Sequence, residues 1–356
     1  MFPEDEEIWV KNLVQYAVGM DKFEELQSME DTRNMIHIVI DTLKSCFLLL
    51  NGSVEDTTKM HDVVRDMALL IVSQDETKLV VKVGIGLADT LAAKKLRKQL
   101  HKNIMMKNKI SALPNHEFQF PLLEMFLIQE NSSLKTVLEV PKASHQTKDA
   151  KFAGNILLSD ISRIAEVKDL QILRVDGTGI KVIATEVGQL TILKHLDALQ
   201  CYNLYPMLHL MLFPTFFELF TDIYPKDRRN NHGLDEISTL TSLRWLELAV
   251  PSLDRVPKVV KFDILHRFEI LIGIDHKKTE SSFDSESRCH MVLSNLQLPP
   301  MITCRRLMKA ADYISLYKIQ KLTNILSNLC CEDLNGLKSI EISDCQDVSC
   351  LIEAID

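Results

Sequence analysis

Leucine and its apolar substitutes recur in one spacing through most of this chain, and that spacing limits the fold more than any other feature. The unit reads L-x-x-L-x-L-x-x-N, with Asn, Thr or Cys in the last slot. Leu123, Phe126, Ile128 and Asn131 fill it, with Leu134 close behind; so do Leu170, Leu173, Val175 and Thr178, followed by Ile180. Looser copies run through Leu193, Leu196, Ala198 and Cys201; Leu243, Leu246 and Leu248; Leu265, Phe268 and Ile270; and Leu337, Ile340, Ile342 and Cys345. A degenerate first copy holds Leu100, Met105, Asn108, Ile110 and Leu113-Pro114. The copies start at 100, 123, 170, 193, 243, 265 and 337, and the gaps of 23, 47, 23, 50, 22 and 72 each lie near a whole multiple of about 24. One such unit is too short to bury its own apolar side chains. Neighbours must stack on it, and the result is an α/β solenoid.

The turn slot sets how regular the stack is. An Asn, Thr or Cys there can hydrogen-bond backbone groups of adjacent coils, whereas Pro251 and Gly273 cannot, so the array is expected to be irregular around them. The stretch from Pro141 to Ile156 is short and polar (Ser144-His145-Gln146-Thr147-Lys148-Asp149) and is not expected to form a full repeat. Residues 276–288, beginning His276-Lys277-Lys278-Thr279, read as an exposed loop.

The first 78 residues follow a different rule. Ile8, Trp9, Leu13, Val14 and Ala17 recur at helical spacing, with Gly19 as a stop. Ser28 and Asp31 offer a capping start for a second helix, whose Ile36, Ile40, Leu43 and Phe47 form one stripe with Val39 beside it. Phe47 to Leu50, the Asn51-Gly52 turn signal and the return from Thr57 to Met60 read as a hairpin. Asp62 can then cap a last helix with Val63, Met67, Leu70 and Ile71 along one face. Helices followed by strand, turn and strand resemble a winged helix. The expected partition is 1–78 for this unit, 79–95 for a connector and 96–356 for the repeats.

Several functions are set aside by composition and motif. Net charge is −8, and the helix from Asp31 to Cys46 sets only Arg33 and Lys44 against Asp31 and Asp41, so nucleic acid is not the expected partner. No run approaches a membrane span, and the acidic start Glu4-Asp5-Glu6-Glu7 is not that of a signal peptide. The eight cysteines, including Cys330, Cys331, Cys345 and Cys350, show no CxxC pair and read as reduced core thiols rather than metal ligands. No G-x-S-x-G or HExxH occurs, so no catalytic or metal residue is assigned and an enzyme is not expected.

Phe2-Pro3-Glu4-Asp5, Tyr16-Ala17-Val18-Gly19, Leu43-Lys44-Ser45-Cys46 and, above all, Met60-His61-Asp62-Val63-Val64-Arg65-Asp66-Met67-Ala68 resemble the intracellular plant disease resistance proteins. The resemblance is to their coiled-coil class, with an NB-ARC nucleotide-binding module and leucine-rich repeats, and it covers essentially the whole chain. It implies an irregular leucine-rich-repeat horseshoe preceded by the small winged-helix-like domain that ends the NB-ARC module. It further implies a cytoplasmic immune receptor that recognises pathogen effectors or effector-modified host proteins and is switched by ADP and ATP. By the same resemblance His61, flanked by Met60 and Asp62, contacts the phosphates of bound ADP; an imidazole at a helix start suits an anion. The residues alone leave open that His61 simply caps or packs the junction. No glycine in the chain is followed by lysine, so the phosphate loop G-x-x-x-x-G-K-[ST] is absent. The expectation is therefore a C-terminal fragment or truncated product whose own nucleotide is lost and whose missing NB-ARC portion is a partner in a full receptor. A stand-alone leucine-rich-repeat adaptor or decoy is the alternative. Glu124, Arg174, Asp176, Lys194, Arg244, Glu247, Lys338 and Glu341 are expected to be exposed on the concave face of the repeats.

Overall fold

Parallel strands one repeat apart are what the leucine spacing builds. The computed structural model describes residues 6–19, 29–73, 79–87, 100–113, 122–137, 147–180, 185–199, 201, 236–250, 265–273, 289–296, 305–321 and 336–346. Ser28, the 276–288 loop, Cys330, Cys331, Cys350 and the Phe2-Pro3-Glu4-Asp5 motif lie outside them. The chain divides into two compact units, Met1–Thr178 and Gly179–Asp356. The expected boundaries at 78 and 95 differ from this partition, because the helical part packs into the first repeats.

In the first unit, β1 (Ile8–Trp9) leads into α1 (Val10–Gly19), followed by α2 (Met29–Ser45), the hairpin β2 (Leu49–Asn51) and β3 (Thr57–Met60), and α3 (Asp62–Ser73). Ile8 and Trp9 leave the expected helix and pair antiparallel with Thr58 and Thr57, because β3 offers an open edge there. Val10, Val14 and Ala17, on one face of α1, bury against Ile36 and Ile40 of α2 and Leu49 of the hairpin. The stripe on α3 is real but faces away from this core: Val63, Met67, Leu70 and Ile71 are all exposed.

Glu7 ties the hairpin to the start of the chain. Its carboxylate accepts from Ser53 N at 3.0 Å, Ser53 Oγ at 2.7 Å and Thr57 Oγ1 at 2.6 Å, and pairs with Lys59 Nζ at 2.8 Å. Led by the Lys59 ammonium, these donors lower its pKa from 4.5 to about 2.

The stack follows directly. Strands β4 (Leu79–Val83), β5 (Lys102–Met106), β6 (Met125–Gln129), β7 (Asp149–Lys151) and β8 (Ile172–Arg174) pair in parallel in chain order. The stretch expected as a connector at 79–95 thus opens with a strand of the sheet. Strand β7 also fills the polar region between Pro141 and Ile156 with a repeat: Ala150 and Phe152 take the core slots and Asn155 the turn slot, all buried. The gap of 47 is therefore two repeats.

The second unit holds β9 (His195–Ala198), β10 (Trp245–Val250), β11 (Arg267–Ile272), β12 (Cys289–Ser294), β13 (Tyr313–Tyr317) and β14 (Ser339–Ser343). These too pair in parallel and in order. Strands β12 and β13 fill the gap of 72. The gap of 50 behaves differently: β9 pairs directly with β10, so the intervening residues add no strand between them. Where Gly273 occupies the turn slot, β11 lengthens and buries Ile272 as an extra core residue. Gly273 itself lies at φ +78°, and a Cβ there would stand 2.0 Å from Ser294 O, so this slot accepts glycine alone.

Two devices recur at the strand ends. The residue just before the turn slot is left-handed in repeat after repeat, at Lys107, Glu130, Gly154, Gly177, Lys318 and Asp344. The turn residue then seals the coil. Asn108 Nδ2 donates to Lys82 O at 2.8 Å and Met106 O at 2.9 Å. Asn131 Nδ2 donates to Gln129 O at 2.7 Å and Met105 O at 3.3 Å, while Asn131 N donates to Asn155 Oδ1 at 2.8 Å. Asn155 Nδ2 donates to Ile128 O at 2.7 Å and Phe152 O at 2.5 Å. Thr178 Oγ1 donates to Val175 O of its own coil, whereas Cys345 Sγ contacts both Ser343 O and, as the sequence expectation for this slot requires, Leu316 O of the adjacent coil.

Asn155→Ala strands one buried N–H and two buried carbonyls, and should cost about 2–4 kcal/mol, read as a lower urea midpoint by circular dichroism. Because the folded pKa of Glu7 is depressed, its stabilising contribution is complete above its ordinary value of 4.5 and is lost as pH falls toward about 2. Glu7→Gln should remove that part of the acid dependence, measured from amide shifts of the hairpin during an acid titration; an unchanged titration would refute the clamp.

Candidate functional site

Strands β5 and β6 carry apolar residues on both faces, and the face opposite the solenoid core is covered by α1. Leu13 and Tyr16 pack on Ile104, Met106, Met125 and Leu127, with Val81 and Val83 alongside. Helical spacing explains how α1 does this while also packing on α2: residues 10, 14 and 17 share one face, and 13 and 16 lie beside it.

Beyond the apolar patch the same contact becomes polar. Tyr16 Oη donates to Gln129 Oε1 at 3.2 Å. Arg174 is fully buried, as is Asp149, and the two form an ion pair through Nη2 at 3.1 and 3.3 Å to the carboxylate oxygens. Arg174 Nη1 donates to Gln15 Oε1 at 2.9 Å, and its guanidinium carbon lies 4.4 Å from the centre of the Tyr16 ring. Lys151 Nζ lies 5.5 Å from the same ring. At the outer end Lys107 pairs with Glu6 and approaches Glu130 at 3.8 Å. Burial raises the Glu130 pKa, against the pull of Lys107. The helix α1 thus holds the sheet through an apolar contact and through Gln15 and Tyr16, which engage Gln129 and the Arg174 of a charge pair buried within the sheet, while Glu6, ahead of β1, adds a peripheral ion pair.

This geometry corrects the list of exposed face residues. Arg174 and Glu247 are buried. Glu124, Asp176, Arg244 and Glu341 are half-buried, and Lys194 and Lys338 are exposed. Glu124 meets His101 at 2.8 Å, and Glu341 accepts from Tyr313 Oη at 2.5 Å. Gln15, Tyr16, Gln129 and Asp149 were not legible as site residues from motifs. Their signal was the unbroken apolar run from Met125 to Ile128, since a sheet open to water on one side alternates.

The Met60-His61-Asp62 junction falls where the motif placed it, between β3 and α3. Met60 packs against the α1–α2 core. His61 is exposed; its carbonyl accepts the Arg65 N–H at 2.9 Å, so it opens the helix. Its Nδ1 lies 2.5 Å from Asp62 Oδ1 and 3.3 Å from Val63 N, and Asp62 Oδ1 also accepts from Val63 N at 2.7 Å. His61 therefore stands at the cap position, one residue before the expected Asp62, which is the first residue of α3 and lies against the exposed imidazole.

Arg174→Ala would leave Asp149 buried without its cation and should destabilise the first unit by about 3–5 kcal/mol. Tyr16→Phe, which loses one hydrogen bond and keeps the ring, should cost only about 1 kcal/mol. Denaturation of the two variants by urea checks the contrast; equal losses would place the weight on the ring contact instead.

No family model matches the chain. Three Arabidopsis thaliana proteins align with about half of it. Disease resistance protein At4g27190 is 35% identical over 185 residues, 51% of this chain and 16% of that protein. Disease resistance protein RFL1 is 29% identical over 55% of this chain and 23% of its own length, and disease resistance protein RPS5 28% identical over 55% and 22%. The chain therefore spans less than a quarter of the length of these curated relatives. Among solved structures, an internalin (inlF) from Listeria monocytogenes aligns over 89% of this chain and 95% of its own at 11% identity and a TM-score of 0.39. The leucine-rich repeat domain of the type III effector XopL aligns over 97% and 98% at 11% identity and a TM-score of 0.36. A stack of parallel strands in the leucine-rich-repeat spacing, with relatives of this kind, gives one conclusion: the curated homologues of this chain are the disease resistance proteins of Arabidopsis.

Proposed function

We propose that this chain is the repeat-bearing part of a plant immune receptor of the NB-ARC leucine-rich-repeat class, acting in the cytoplasm. In this reading its repeats recognise a pathogen effector or an effector-modified host protein. The observation that carries it, beside the relatives, is α1 lying on the strand face of β5 and β6 and closing over Arg174. A helix seated through a partly polar interface is released at modest cost when a partner competes for the sheet, because its buried charges regain water. The elements α1 to α3 with the β2–β3 hairpin stand as the winged-helix end of the nucleotide-binding module. No described helix is long and apolar enough to cross a membrane.

Nucleotide belongs to this proposal only through a longer receptor. His61 offers one imidazole, held beside the Asp62 carboxylate, and the sequence contains no glycine-lysine phosphate loop. One donor beside an acidic group does not hold a diphosphate, so no catalytic step is assigned to this chain and ADP is not expected to remain on it alone. A repeat adaptor or decoy without nucleotide is the second reading, and the exposed His61 held against the Asp62 carboxylate is what favours it.

Purified effectors and candidate host proteins, presented in turn to the whole chain, should include one that binds and speeds amide hydrogen exchange across residues 10–19. Binding that leaves α1 exchange unchanged would refute release of the helix. Micromolar ADP binding in equilibrium dialysis would refute the assignment of nucleotide to the longer receptor.

A further inference from the structure

The core side of β4 is poorly furnished. Val80 of β4 stands beside Asn103 of β5, which stands beside Phe126 of β6. Asn103 thus fills the second leucine slot of the copy that begins at Leu100, where the coils that follow put Phe126, Ala150 and Leu173. It is 1% exposed, and neither its Nδ2 nor its Oδ1 has a hydrogen-bond partner among the described residues. An amide orphaned in a core opposes the packing of whatever covers it. Two residues after Val80, Lys82 takes the place beside Met105 and is exposed. Val80 and Lys82 are the residues of β4 that share the face of Asn103, so Val80 alone is apolar there.

The opposite face of β4 is better held. Val81 and Val83 join the apolar cluster that Leu13 and Tyr16 of α1 form with Ile104, Met106, Met125 and Leu127. The backbone and turn bonds of this seam match those of the next. Gly84 N donates to Met106 O at 3.0 Å and Asn108 Nδ2 to Lys82 O at 2.8 Å, just as Lys107 N donates to Gln129 O at 3.0 Å and Asn131 Nδ2 to Met105 O at 3.3 Å. Side chains are what set the two seams apart. Among the described strands β4 pairs with β5 alone, so no second neighbour supports it. Strand β6 lies under the same helix, but it keeps Phe126 and Ile128 in the core and a strand on each side.

We propose that α1 is a strap across the first seam: β4 stays paired with β5 while Leu13 and Tyr16 cover the outer face, and lifting α1 lets β4 leave the stack. This rests on the release reading above for its trigger and names what release does to the repeats. Asn103 sets the threshold, because an apolar side chain in its slot would let the core side hold β4 without the helix. Such a strand opens locally while the coils behind it stay folded. Strand β4 follows α3 in the chain, so its departure turns a paired strand into a tether between the helical elements and the repeats.

Amide hydrogen exchange on the whole chain, at fixed pH and with no partner present, tests the strap. Leu13→Ala with Tyr16→Ala should speed exchange across residues 79–83 at least about tenfold, and across 125–129 by clearly less. Tyr16→Ala alone should act in the same direction, and unchanged exchange in the 49–60 hairpin shows that the α1–α2 core has survived. Asn103→Leu, or the smaller Asn103→Val, should slow exchange at 79–83 and restore it in the Tyr16→Ala background. Exchange at 79–83 that neither Asn103 replacement slows, or that rises equally at 79–83 and 125–129 when α1 is weakened, would overturn the proposal. A partner that speeds exchange in α1 but not at 79–83 would also overturn it and leave helix release standing. If no partner speeds α1 exchange while the variants behave as stated, release falls and the strap stands.

Discussion

Everything in this protein depends on strands that cannot be buried alone. A repeat of this length closes one coil and exposes the apolar side chains of its strand at both open sides. Only the next coil covers them, so each unit of the chain is a run of nearest-neighbour interfaces. The backbone pairs strand to strand in parallel, and Asn108, Asn131 and Asn155 then satisfy the carbonyls and N–H groups that the turn would orphan. A buried amide is worth keeping there because each unsatisfied group would cost about 1–3 kcal/mol. In those repeats that have it, the left-handed residue before the turn supplies the change of direction, and the stack tolerates Lys107, Glu130 and Lys318 there at a local cost.

The helical part is drawn into that stack by the same need. Strands β5 and β6 are apolar on both faces, so the sheet needs a cover on its second side, and α1 supplies it with Leu13 and Tyr16. Where the apolar surface ends, Arg174 and Asp149 are buried together beside Gln15. Such a pair is a poor source of net stability, since desolvation consumes most of its attraction, but it punishes misplacement heavily. The contact is thus specific and comparatively easy to exchange for water or for a partner.

The repeat spacing was legible because burial in a strand depends on residues two apart, which sequence displays directly. Leu123, Phe126 and Ile128 are all buried, as their period demands. Two gaps misled in opposite directions. Between Pro141 and Ile156 a repeat hides behind polar residues, since Thr147 and Asp149 occupy places where leucine or solvent was expected; Gly154-Asn155, with its left-handed glycine, was the surviving sign. Between β9 and β10 the chain length suggested another repeat, yet the strands pair directly. Length counts residues and says nothing about which of them join a sheet. The exposed face was the weakest reading: Arg174 and Glu247 looked solvated because each sits between apolar core residues, and both are buried.

By itself the sequence determined the hairpin, the strands β5, β6, β8 to β11 and β14 in their order, the turn chemistry and the place of His61 at a helix start, because each rests on spacing and local backbone preference. Tertiary structure alone decided what covers the second face of the sheet, and with it that Arg174 is an internal anchor while Lys194 remains at the surface. The reason is physical: an alternating pattern says which side chains share a face, but only contacts far apart in the chain, such as Gln15 with Arg174, decide whether that face meets water.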